Sequence, residues 1–196
     1  GRRVRNSESD VTTDRQTFRP ETVLDFWFPK TGFWESRDTF GPWLHHRMQG
    51  GVDADIRDRF AELTTAAAQG LLDDWAGTPR GRLALLIALD QFPRSLWRDT
   101  PGAYAQDIKA ARLAMDGSAN GHFAAIRPWE RLFYVIALSH CEGPDHLARF
   151  DLIDEATEVV IADLPPSIGY AADLMRAQNA RVRGVMHPSI ADGSRQ

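Results

Sequence analysis

The 196-residue chain is 43% hydrophobic with a formal net charge of −4, enough apolar material to fill one core. Its acidic balance, with no basic stripe, argues against nucleic acid as a partner, because such binding neutralises several phosphates. The single cysteine, Cys141, excludes an intramolecular disulfide and a multi-cysteine metal centre, and no apolar run approaches the roughly 18 residues of a membrane span. No apolar stretch follows Arg2-Arg3, so neither a signal peptide nor a membrane partner is expected, and a reducing cytoplasm is the expected compartment.

Residues 1–19 are polar, with only Val4, Val11 and Phe18 to bury, and are read as a tail. Pro20 suits the first turn of a helix that Pro29 and Gly32 end. Seven aromatics follow between Phe26 and Trp43 (Phe26, Trp27, Phe28, Phe33, Trp34, Phe40, Trp43). They are read as anchors of an irregular connection in preference to a cation cage. A helix from Asp53 as N-cap to Gly70 places Ile56, Phe60, Leu63 and Ala67 on one face. Asp53, Asp55 and Asp58 lack the turn glycine and terminal Glu of a calcium loop and instead favour a helix N-terminus.

Thr78-Pro79 and Thr100-Pro101 each place proline after a hydroxyl N-cap, which predicts helices from Pro79 to about Phe92 and from Pro101 to Met115. Further helices are expected from Pro128 to about Cys141, from Asp145 to Ala162 and from Pro166 to about Val185, with residues 187–196 frayed. No segment alternates like a strand. The expectation is an all-α domain over residues 20–186, with roughly eight mostly antiparallel helices.

Within it, seven consecutive apolar residues, Leu83 to Leu89, run into Asp90, Gln91, Phe92, Pro93 and Arg94. A helix apolar on every side lies inside a protein, so it carries an acid, an amide and a guanidinium to the end of a buried element, where they need partners. Asp90 shares a stripe with Leu83, Leu86 and Ile87, and His140 shares one with Trp129, Leu132, Phe133 and Ile136, so both face inward. If they meet, an Asp-oriented His140 can act as a general base. Arg94 would bind an anion, Gln91 would read an amide or hydroxyl, and Glu142 is a further ligand-binding candidate. The competing account is a buried structural network, in which Asp90 and Gln91 satisfy backbone donors and His140 pairs with a carboxylate or carbonyl.

Metal is disfavoured. His140 and Glu142 diverge by about 200° on a helix, and adjacent His45 and His46 by about 100°. Cys141 diverges from His140 in the same way and is read as a small core residue. Phosphate loops, dinucleotide fingerprints and nucleophile elbows are absent, so no cofactor is expected.

Several strings occur together in one order: Val23 to Phe28, Gly70 to Trp75, Thr78 to Ala84, Leu89-Asp90-Gln91-Phe92-Pro93-Arg94, Arg98 with Thr100-Pro101, Asp107, and His140 with Glu142. In these the chain resembles the bacterial family catalogued as domain of unknown function nine-two-four. The resemblance implies a tetratricopeptide-like helical array with no established activity, although no period of about 34 residues is visible. The chain departs from the family pattern at Gly143-Pro144, at Leu147, and near the C-terminus, where only His187-Pro188 remains of a longer string. The preferred reading is a binding protein for a small anionic molecule or peptide at Asp90, Gln91, Arg94, His140 and Glu142. The alternative is a cofactor-independent hydrolase- or lyase-like enzyme using His140 and Asp90, and a third account places function at a protein interface.

Overall fold

Pro20 opens helix α1 (Pro20–Trp27), which buries Val23, Leu24 and Trp27. This is a computed structural model describing residues 18–140 and 146–186, and every regular element among them is helical. The expected tail segments lie almost wholly outside the described residues, as do Cys141 and Glu142.

The connection expected to be irregular contains α2 (Arg37–Met48). Ser36 caps it by accepting from the Asp38 amide, and Phe40 and Trp43 are buried. Gly41-Pro42 looks like a helix breaker in the sequence, yet anchoring the two aromatics offsets the hydrogen bond that Pro42 cannot donate. The aromatics do serve as anchors: Phe33, Trp34, Phe40 and Trp43 are all buried and in ring contact with neighbours.

The helix expected from Asp53 to Gly70 is two, α3 (Asp53–Arg59) and α4 (Ala61–Ala68), broken at buried Phe60. Val52 occupies the cap position and Asp53 is the first helical residue. After a 3₁₀ turn at Asp73–Gly77 comes α5 (Pro79–Asp90), where the Thr78 hydroxyl accepts from the Gly81 amide at 3.0 Å. Gly81 is required for close approach, since a Cβ there would collide with the Trp75 carbonyl oxygen.

Gln91 separates α5 from α6 (Phe92–Leu96). Thr100-Pro101 does not start the long helix expected there. The Thr100 hydroxyl donates to the Trp97 carbonyl at 2.7 Å and caps nothing, so the chain makes one 3₁₀ turn at Pro101–Ala103 and restarts as α7 (Asp107–Ala119). The remaining helices are α8 (His122–Ala125), α9 (Pro128–His140), α10 (His146–Ala162) and, after a 3₁₀ turn at Pro166–Ile168, α11 (Ala171–Met186).

The described residues thus hold eleven α-helices where roughly eight are expected. Against the seven helices whose bounds the sequence suggests, the additions are the break at Phe60, the short α6 after Gln91, and α2 and α8, which have little periodic signal of their own. The chain folds around α5, whose residues from Gly81 to Asp90 are all buried; α1, α4, α6, α7, α8 and α9 pack against it. Among the described residues no helix is long and apolar enough to cross a membrane.

Candidate functional site

α5 ends on Asp90, a residue only 1% exposed. A carboxylate at the end of a buried helix is costly unless its oxygens are bonded. Three side chains meet it. His140, the last residue of α9, brings Nδ1 to 2.9 Å from Asp90 Oδ1. Gln91 donates through Nε2 to Oδ2 at 2.8 Å. Arg94, one turn along, donates through Nη1 to the Asp90 carbonyl at 2.6 Å and lies 3.5 Å from Oδ1.

Arg94 also grips Asp107, the first residue of α7, in a two-pronged pair: Nη1 to Oδ1 at 2.8 Å and Nη2 to Oδ2 at 2.9 Å. Burial pushes the Asp107 carboxyl above its ordinary range even though Arg94 pulls the other way. Burial likewise works against the Arg94 cation, but its Asp107 bonds and the nearby Asp90 charge outweigh it and raise its pKa. Asp90 Oδ1 faces Nδ1 of His140, which leaves Nε2 as the ring nitrogen turned away from the carboxylate. The His140 side chain is 26% exposed.

The open side of this cluster is a cleft of about 240 Å³ whose lining includes Arg47, Met48, Gln91, Arg94, Arg98, Tyr104 and His140. Exposed Tyr104 stands at its mouth with the Arg94 guanidinium 5.2 Å from its ring centre. Arg98 is neutralised by Asp53, donating through Nε at 2.8 Å and Nη2 at 3.0 Å. Arg47 differs. Its Nε donates to the Trp27 carbonyl at 3.1 Å and its Nη1 lies 3.2 Å from His46 Nδ1, but among the described residues it makes no ion pair with a carboxylate. Burial lowers its pKa although the Asp55 charge pulls the other way, and its guanidinium lies 5.9 Å from the Trp43 ring centre, so this half-buried cation is less well compensated than Arg94 and Arg98, whose bonded carboxylates raise theirs.

A family model described as bacterial protein of unknown function (DUF924) matches residues 23–166. The chain belongs to that family. The solved structure of a protein of unknown function from Agrobacterium tumefaciens is 26% identical to this DUF924 protein, with a TM-score of 0.53 over 89% of this chain and 88% of that one. No curated protein matches. The matched span contains all the polar residues of the cluster and its cleft, while α11 lies beyond it.

Of the residues expected to form a site, the fold brings Asp90, Gln91, Arg94 and His140 together, and Glu142 lies outside the described residues. Among the described residues the Asp90 carboxylate is held by side chains and not by the backbone donors of neighbouring helices. Two groups had no role assigned from the sequence. Asp107 was visible only as one residue of the family strings, and Arg47 carried no signal because its helix is masked by Gly41-Pro42. Among the described residues no group of three or more His, Cys, Asp or Glu is placed to hold a metal ion.

Proposed function

We propose that this DUF924 protein is a cytoplasmic binding protein for a small organic anion, taken up in the cleft between α2, α6 and the end of α9. The observation that supports this reading is Arg47. A desolvated guanidinium is stable when an acceptor faces it, and an anion in the cleft supplies that acceptor next to His140 Nε2 and the Arg94 edge. The cleft is near the lower limit for small-ligand sites, which suits a compact head group.

Titration with a panel of small carboxylates and phosphates tests this. At least one should raise Tm at tens of millimolar or below, and Arg47→Gln should weaken it by about tenfold or more, the usual loss for a charge-assisted bond, with Arg47→Lys retaining part of the affinity. If no anion raises Tm, or if Arg47→Gln binds as well as the parent, the reading fails.

The 2.9 Å contact between Asp90 and His140 favours a second reading, acid–base chemistry on the bound anion, because a buried carboxylate on Nδ1 is how a histidine is held ready to exchange a proton at Nε2. Nitrogen-15 shifts of His140 should show Nδ1 protonated in the neutral ring. Asp90→Asn keeps the shape, since Gln91 can turn its amide to match, but removes the charge and should raise the share of the Nε2–H tautomer while anion binding persists. A parent protein already dominated by the Nε2–H tautomer would remove acid–base chemistry from consideration.

A further inference from the structure

A second cavity of about 420 Å³ lies between α2, α9 and α11, and Met48 and His140 line both it and the polar cleft. Its walls are largely apolar, with Leu44 from α2, Leu132 and Ile136 from α9 and Leu174 from α11; of the polar residues on the α11 side, Asn179 donates to the Thr157 hydroxyl and Gln178 accepts from Arg181. Ser139 also lines it, but its hydroxyl donates to the Val135 carbonyl of its own helix at 2.8 Å and offers the groove little polarity. Leu132, Ile136 and His140 follow at intervals of four and form one ridge of α9. The ridge extends about 12 Å at the helical rise and leads to the imidazole at the edge of the cleft.

We propose that the anion bound in the cleft is the head group of an amphiphile, a carboxylate or phosphate on an unbranched alkyl chain, whose tail lies in this groove. The inference rests on the binding reading given above. Charge complementarity fixes the direction: Arg47 lines only the cleft, His140 lines both spaces, and the Leu44, Leu132, Ile136 and Leu174 walls offer the rest of the ligand no charge. An alkyl chain suits these walls better than a peptide does, because a peptide brings a backbone N–H and C=O group with every residue and the walls offer polar partners chiefly at Tyr170, Gln178 and Asn179. A tail also covers apolar surface that is otherwise in water, since Leu174 is 62% exposed at the rim. Met48, unbranched and half-buried at the junction, can change rotamer to pass a chain between the two spaces.

The test is a titration of the full chain with butyrate, hexanoate, octanoate and decanoate at one pH and ionic strength, below micelle formation, with decanol as the uncharged control. Affinity should rise roughly fourfold for each added methylene. Leu174→Gln should weaken decanoate several-fold and leave butyrate unchanged, while Arg47→Gln should weaken every acid by a similar factor and leave decanol alone. A flat dependence on chain length, with butyrate still bound and still sensitive to Arg47, overturns the tail and leaves the anion cleft standing. Decanol binding as tightly as decanoate overturns the link between groove and cleft. A dimer that Leu174→Gln dissociates, without any change in decanoate affinity, assigns the groove to a second copy of this chain. Failure to bind any of the acids removes both readings together.

Discussion

Replacing Arg94 by methionine should lower stability by about 3–5 kcal/mol at neutral pH, the scale set by removing one partner of a buried ion pair. Methionine retains much of the packing but supplies no donor. Asp90 and Asp107, 1% and 8% exposed, would then lack the guanidinium that both now share at 3.5 and 2.8 Å. The pH dependence separates charge from packing. Asp107 already has a folded-state pKa above its ordinary value because it is buried, so the folded protein holds that proton more tightly than the unfolded chain. Its contribution to stability is therefore present below the unfolded pKa, about 3.9, and is lost as pH rises through the folded one. Removing Arg94 raises the folded pKa further, so the deficit measured by urea denaturation should be largest at neutral pH and shrink as the solution is acidified. A deficit of equal size across that range would mean that only packing had been lost.

Leu86→Ala should cost about 2–5 kcal/mol by the same measurement. Leu86 is wholly buried in the middle of α5, with Leu85 and Ile87 beside it equally inaccessible, so no face of the helix lets solvent or a mobile side chain fill the space left behind. The transfer term and the cavity term therefore add. The dependence of stability on urea should keep its slope, because the surface exposed on unfolding hardly changes. A loss below about 1 kcal/mol would show that the helices around α5 collapse onto the vacancy.

α5 was legible in the sequence because seven apolar residues in a row have only one place to go, and Asp90, Gln91 and Arg94 were legible as a consequence: polar groups at the end of such a helix must find partners close by. His140 followed from the periodicity of its own helix. The rest was hidden for local reasons. Thr78-Pro79 and Thr100-Pro101 are indistinguishable as strings, but one hydroxyl turns forward to cap Gly81 while the other turns back to the Trp97 carbonyl. That choice places Asp107 at the start of α7, thirteen residues from Arg94 yet bonded to it. No pattern along the chain reports such a pairing. Arg47 was obscured differently, by a glycine-proline pair inside a helix held by aromatic burial, where propensity and tertiary packing disagree and packing prevails.

Because α5 is enclosed along its buried length, its amides have no local route to solvent and should exchange only when the whole domain opens. α11 is the opposite case. It rests chiefly on α10, joined by surface pairs such as Arg176 with Glu158 and Arg183 with Asp154, so its amides should open at smaller free energy than those of α5. The polar cluster hangs from the end of the most enclosed helix, and one wall of the adjoining groove is built from a less enclosed one. Hydrogen exchange should therefore place the polar cluster on a slow-opening element and the α11 wall of the groove on a faster one.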